Sequence, residues 1–153
     1  MYFTTIASPI GIYVIGASER GITYVDRFKE GDAIPKINES PLLLKAKEQL
    51  AAYFSGEIKT FDLPLDTAGT AFQESVWEAL RQIPYGQTVS YKDIAVAINN
   101  PKAVRAVGGA NNRNPISIIT PCHRVIGMNG KLVGYGGGID AKEYLLKLEL
   151  ENS

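Results

Sequence analysis

Between Thr70 and Pro101 the chain carries two helix-capping signatures and two prolines, and this punctuation restricts its second half to short helices. Thr70 and Gln73 form a T-x-x-Q capping box, followed by an apolar stripe of Phe72, Val76, Leu80 and Ile83 that Pro84 stops. Pro84-Tyr85-Gly86-Gln87 reads as a turn. Ser90 and Asp93 form a second box, with Ile94, Ala95 and Ile98 behind it. After the turn Asn99-Asn100, Pro101 opens a third helix over Lys102–Ala110, whose inner stripe is Val104 and Val107. Two short helices joined by a tight turn match a helix-turn-helix; a small three-helix bundle would leave the same pattern. Gly108-Gly109 ends the third helix. With Ala103, Ala106 and Ala110 it makes a small-residue face that would admit a sugar-phosphate backbone, although a C-cap glycine and close helix packing would also account for it.

The first half reads differently. Tyr2–Ala7, Ile10–Ala17 and Ile22–Phe28 are rich in Ile, Val, Tyr and Thr and are separated by turn signals, which predicts an antiparallel meander. Gly31–Glu39 is a polar loop. Ser40 and Pro41 then start a helix carrying Leu42, Leu43, Ala46, Leu50 and Tyr53, with Gly56 near its stop. Lys59–Gly69 has breakers and little periodicity, as expected of a strand fragment and linker. The fold class expected is α+β: an αβ domain over residues 1–66, then a helical domain over 67–153. At the end, Ile116–Ile119 reads as a short buried strand, Gly134–Gly138 as a mobile loop, and Asp140 with Glu143 as a capping box for a last helix packing Ala141, Leu145 and Leu148.

Composition narrows the chemistry. One cysteine and one histidine exclude an intramolecular disulfide and a four-ligand zinc site made of those residues. The start, MYFTTIASPIG, has no basic region followed by a long apolar run, and no stretch reaches the ~20 apolar residues that span a bilayer. With its free thiol, the chain is expected to be cytoplasmic and to have no membrane partner. The formal net charge of zero is unevenly spread. Arg81–Lys131 holds seven bases (Arg81, Lys92, Lys102, Arg105, Arg113, Arg124 and Lys131) against the single acid Asp93, while the rest holds nine bases and fifteen acids. A basic segment of net +6 in a neutral chain suggests an anionic partner, although a chance excess of solvated Lys and Arg would look alike.

The reactive residues concentrate in Pro121-Cys122-His123-Arg124-Val125. A lone cysteine is usually a small hydrophobe. Here it follows a proline, adjoins the only histidine and lies in a basic segment; a base or positive field raises the thiolate fraction, and the thiolate is the nucleophile. Adjacency alone does not make a catalytic pair, because neighbours in extended chain face opposite ways. Contact needs a turn or a bridging water. An imidazole base also needs an orienting carboxylate, and spacing does not choose between Glu143 and Glu149.

PCHRV, preceded by RAVGGANNRNP and followed by Gly134-Tyr135-Gly136-Gly137-Gly138, resembles the signature of the O6-alkylguanine-DNA alkyltransferases (methylated-DNA--protein-cysteine methyltransferases). The likeness runs from about Gly69 to Glu149 and includes TAFQESVWEAL, IPYGQTVSYKDIA and AKEYLLKLE; the first half matches only in size and strand content. The resemblance implies a ribonuclease H-like N-terminal domain and a winged-helix-like C-terminal one. It implies that Cys122 accepts the alkyl group, with His123 as base through a water and Glu149 orienting His123. Asn114 would hold the turn around the cysteine, and Tyr91 would give a hydrogen bond as guanine leaves. Arg105 would enter the base stack where the target nucleotide has rotated out. Lys102, Ala106, Gly108, Gly109, Arg113 and Arg124 would complete the DNA face, and Tyr135, Gly136 and Val125 the base pocket. The partner implied is double-stranded DNA carrying O6-alkylguanine, with O4-methylthymine a weaker substrate. The reaction would be single-turnover by a monomer, with base flipping through the minor groove and with no cofactor and no metal. A module that recruits repair factors without reacting, a Cys-His hydrolase, and a DNA-binding regulator in which alkylated Cys122 signals damage are the competing readings.

Overall fold

The computed structural model describes residues 1–127, Gly130, Leu132, Tyr135 and 138–153. Contacts divide the chain into two compact units, Met1–Thr67 and Ala68–Ser153.

In the first unit the expected meander forms β1 (Tyr2–Ser8), β2 (Gly11–Ala17) and β3 (Ile22–Arg27), antiparallel and in the order β1-β2-β3. The central strand β2 is buried along Tyr13–Ala17. Helix α1 (Pro41–Phe54) packs against β1 and β2 through Leu43, Ala46, Leu50 and Tyr53. Its start was legible: the Ser40 hydroxyl accepts a hydrogen bond from Leu43 N and Pro41 occupies the first turn. Gly56 adopts φ +80° just past its end, a conformation that costs glycine least. The expected strand fragment reduces to one bridge, in which Leu65 pairs in parallel with Ile22.

In the second unit both central capping boxes are present. Thr70 and Gln73 cap α2 (Ala71–Arg81), and Ser90 and Asp93 cap α3 (Tyr91–Ala97). The recognition-helix candidate α4 (Val104–Asn112) begins two residues later than the sequence suggested, because Pro101 and Lys102 form a turn before it. Helices α3 and α4 pack on each other and on α2. Trp77 of α2 ties that packing down: its ring is 4% exposed and its indole N–H donates to Ala110 O of α4 at 2.9 Å. Two-residue strands β4 (Val89–Ser90) and β5 (Val125–Ile126) pair in parallel. Helix α5 (Ile139–Asn152) closes the unit.

Two expected elements do not form. Ile116–Ile119 is a turn after a single bridge residue, not a strand, and Ile118 sits at φ +72°. Asp140 and Glu143 make no capping box, because α5 already begins at Ile139 behind Gly138, whose φ of +99° admits an earlier start. The expected loop at Gly134–Gly138 lies largely outside the described residues. Among those residues, no helix is long and apolar enough to cross a membrane.

Candidate active site

The segment from α4 to the cysteine folds around one side chain. Asn114 Nδ2 donates to Thr120 O at 2.8 Å and to Ile116 O at 3.2 Å, while its Oδ1 accepts from Ile116 N at 3.0 Å. The amide therefore supplies the bonds that a strand would have drawn from a ladder, which is why this apolar run turns instead of extending. Thr120, 1% exposed, is held again at its hydroxyl by Arg81 Nη1 at 3.0 Å, and its carbonyl also accepts from Cys122 N at 2.8 Å. Cys122–Arg124 is a single 3-10 turn, closed by the Val125 N–H donating to Cys122 O. At about three residues per turn, successive side chains point well apart, so Cys122 and His123 diverge.

His123 is fully buried and meets Glu149 of α5, with Nε2 and Oε2 2.6 Å apart. The structure thus selects Glu149 over Glu143, which is exposed. The same carboxylate receives Arg124 Nε at 2.8 Å, Arg124 Nη2 at 3.0 Å and Gly86 N at 3.2 Å. Burial pushes the Glu149 carboxyl up, but the hydrogen bond from His123 and the hydrogen bonds and charge of the Arg124 guanidinium outweigh it and hold the group well below the usual carboxylate range. Burial is the main influence that keeps the His123 ring below its ordinary value, against the pull of Glu149; Arg124 and Lys142 add to the lowering. A neutral ring beside an ionised carboxylate donates Nε2–H to it, which leaves the lone pair on Nδ1. Nδ1 is buried and has no hydrogen-bond partner among the described residues. The arrangement is an oriented imidazole with a vacant basic nitrogen, on the residue next to the thiol.

Arg124 corrects the sequence reading. It was expected on the DNA face, yet it is 6% exposed, with its guanidinium bound to Glu149 and, through Nη1 at 2.7 Å, to Ile83 O. Its charge serves the interior. Of the other residues expected on that face, Lys102, Arg105, Ala106, Gly109 and Arg113 are exposed and Gly108 is half-buried, while Val107, Ala110 and Asn111 face inward. Neither glycine is a C-cap, since α4 continues to Asn112. A Cβ on Gly109 would meet nothing within 4 Å, and one on Gly108 would only touch the Tyr91 ring at 3.9 Å, so close helix packing does not explain Gly109.

Tyr91 begins α3, half-buried; burial first, and then the charge on Cys122, raises its hydroxyl, so the phenol lies within electrostatic reach of the thiol. Val125 and Tyr135 are buried, and Gly136 lies outside the described residues. The sequence reading missed Lys142, a fully buried lysine whose Nζ donates to Val125 O at 2.5 Å and lies 6.0 Å from the Tyr135 ring centroid. A signal existed: Lys142, Leu145 and Glu149 share the i, i+3, i+7 spacing of the inner face of α5. No cluster of three or more His, Cys, Asp or Glu that could hold a metal occurs among the described residues.

Comparison with known proteins identifies the family. Residues 71–151 match the model of the 6-O-methylguanine DNA methyltransferase DNA binding domain, and residues 1–67 that of the ribonuclease-like domain of the same proteins. The chain belongs to the 6-O-methylguanine DNA methyltransferase family. It is 53% identical over 156 residues to the methylated-DNA--protein-cysteine methyltransferase of Methanosarcina barkeri, covering 99% of each chain. It is 49% identical over 157 residues to the constitutive protein of that name from Bacillus subtilis, covering 97% of this chain and 94% of the relative. Among solved structures, Mycobacterium tuberculosis OGT in complex with DNA superposes with a TM-score of 0.92 at 46% identity, covering 100% of this chain and 95% of that one.

Proposed function

We propose that this protein repairs alkylated double-stranded DNA by transferring the alkyl group of O6-alkylguanine, chiefly methyl, to Cys122. The observation that carries the proposal is the buried His123–Glu149 contact, with the free Nδ1 of the ring adjoining the only cysteine. In this reading His123 Nδ1 takes the thiol proton through a water, and Glu149 stabilises the imidazolium that forms. The thiolate sulfur attacks the alkyl carbon; the S–C bond forms as the C–O6 bond breaks, and its electron pair leaves on the guanine. Tyr91 donates a hydrogen bond to the departing base, which finally takes the proton held on His123. The alkyl donor is the DNA, so no cofactor enters. A thioether does not hydrolyse readily, so each molecule reacts once.

The alkylated oxygen of a stacked guanine is out of reach, so the nucleotide has to leave the stack. Helices α3 and α4 act as the helix-turn-helix of a winged-helix-like domain. The open Gly109 face admits the backbone at the minor groove, and Arg105 fills the gap left by the flipped base. O4-methylthymine is a weaker substrate of the same site, and the protein acts as a monomer.

The test is intact mass after incubation with duplex DNA carrying one O6-methylguanine, beside Cys122→Ala. The expected result is a gain of one methyl per protein with stoichiometric loss of the lesion, and no gain in the variant. Lesion-specific binding without any mass gain would replace this reading with a recruiting module; neither gain nor binding would favour a Cys-His hydrolase.

A further inference from the structure

We infer that Arg81 is a positioning residue for the nucleophile: through the Thr120 hydroxyl it locks the backbone turn that presents the Cys122 sulfur. The inference rests on Cys122 being the nucleophile. Arg81 lies in the last turn of α2, and α2 packs against the 3-10 turn at Cys122–Arg124. Its guanidinium is aimed by its neighbours. Nε and Nη2 donate to Glu78 Oε2 at 3.3 and 3.0 Å, and Glu78 Oε1 accepts from Gln82 Nε2 at 3.1 Å. Nη1 is left to donate to the Thr120 hydroxyl at 3.0 Å, on a residue that is 1% exposed. A guanidinium can do both at once, because its donors stand in a rigid fork: one edge holds the carboxylate while the remaining nitrogen reaches a second acceptor.

The bond matters because of the backbone it holds. Cys122 N donates to Thr120 O at 2.8 Å across Pro121, whose φ of −81° and ψ of 66° are those of an inverse γ-turn. Thr120 is therefore the residue onto which the approach to the sulfur is folded. Just before it, Ile119 N donates to Ser117 O at 2.8 Å across Ile118, which stands at φ +72°. A three-residue turn with positive φ at its centre is the rare and strained kind, and a β-branched residue is poorly suited to it. Such a backbone persists only where its surroundings over-determine it. Asn114 holds the segment from within, through Ile116 and Thr120 O. Arg81 holds its far end from outside, by the Thr120 side chain.

The role differs from those of Asn114 and His123. Asn114 belongs to the segment it folds, whereas Arg81 stands 39 residues from Thr120 and ties the turn to a separate helix. The imidazole moves a proton, whereas Arg81 acts only through the turn. Without its bond the thiolate keeps its chemistry, but the γ-turn is free to swing and the sulfur spends less time in line with the alkyl carbon. That loss falls on the chemical step. An arginine contacting phosphate would act instead on DNA affinity and its salt dependence.

The experiment compares the full chain with Thr120→Val, Arg81→Gln, the double variant and Arg81→Lys, their folding checked by circular dichroism. Two quantities are read: the single-turnover rate of methyl transfer at saturating O6-methylguanine duplex, and hydrogen exchange of the Cys122 amide by NMR without DNA. Thr120→Val changes no charge; it should slow transfer about tenfold or more with affinity for the lesion duplex unchanged, and Arg81→Gln should slow it equally. The double variant should be no slower than either single one, because both remove the same bond, and Arg81→Lys should recover part of the rate. The Cys122 amide should exchange about tenfold faster in both single variants, while the amides of α5 keep their wild-type protection. A wild-type transfer rate or wild-type exchange in folded Thr120→Val would overturn the inference. So would an Arg81→Gln whose affinity falls while its rate at saturation holds, since that is the mark of a phosphate contact. Should either single variant not fold, the other decides by the same two readings. Faster exchange in a protein that takes no methyl from O6-methylguanine would refute the repair function while keeping the clamp; methyl transfer with unmoved exchange would do the reverse.

Discussion

Glu149 is where three segments meet: its two oxygens accept from His123, Arg124 and the backbone of Gly86. Replacing it by Gln leaves the Arg124 guanidinium buried without a counter-charge, so Glu149→Gln should cost about 3–5 kcal/mol in urea denaturation. It should also slow methyl transfer more than tenfold, since the ring loses its orienting anion. The pH dependence of stability follows from the same groups. His123 titrates lower in the fold than its ordinary 6.5, so below that value the unfolded chain binds more protons there than the native one, and stability falls. Glu149 is depressed as well; the stability it contributes is complete above its ordinary 4.5 and is lost progressively as pH drops below it. Denaturation midpoints should therefore decline from pH 7 to 5 and more steeply below 4.5, and a flat profile would contradict the buried relay. Cys122 and His123 were legible from their rarity and adjacency. Arg124 was misplaced, because charge alone does not tell a solvated arginine from one folded onto a carboxylate 25 residues further along the chain.

At the scale of elements, capping residues carried the most information. Ser40, Thr70 and Ser90 each start a helix where their side-chain chemistry predicts, because a cap satisfies backbone donors locally and needs no distant partner. The failures had non-local or conformational causes. Ile116–Ile119 has strand composition, but Asn114 supplies its hydrogen bonds and bends it. Asp140 and Glu143 have the spacing of a box, but Gly138 lets α5 begin earlier. Helix α4 poses the sharpest test of the proposed interface. Gly109 is helical and exposed, with open space where a Cβ would stand, so Gly109→Ala should stabilise the unliganded protein by about 0.5–1 kcal/mol. The same methyl would stand between α4 and the DNA backbone. Affinity for lesion-bearing duplex, measured by fluorescence anisotropy, should fall although the protein is more stable; equal affinity would remove the close-approach role of this face.

For the molecule as a whole, the segregation of charge was legible from the sequence, but its count was not. Of the seven bases between Arg81 and Lys131, Arg124 is buried against Glu149 and Arg81 is paired with Glu78 at 3.0 Å. Lys92, Lys102, Arg105 and Arg113 are exposed among the described residues. If each meets one phosphate, the logarithm of DNA affinity should fall with the logarithm of salt concentration at a slope of about −3.6, and a slope near zero would discard the electrostatic face. The two-part organisation was likewise visible, as a change from alternating strands to capped helices near residue 66, while the fold of the first half matched its relatives only in outline until the sheet order was known. The chain has one tryptophan in 153 residues, and its indole N–H is spent on the backbone of α4. Its emission is thus an internal gauge of whether that helix is docked: light from one native fluorophore can follow the approach of DNA to the protein, and any loosening once the sulfur is alkylated, without a label being attached.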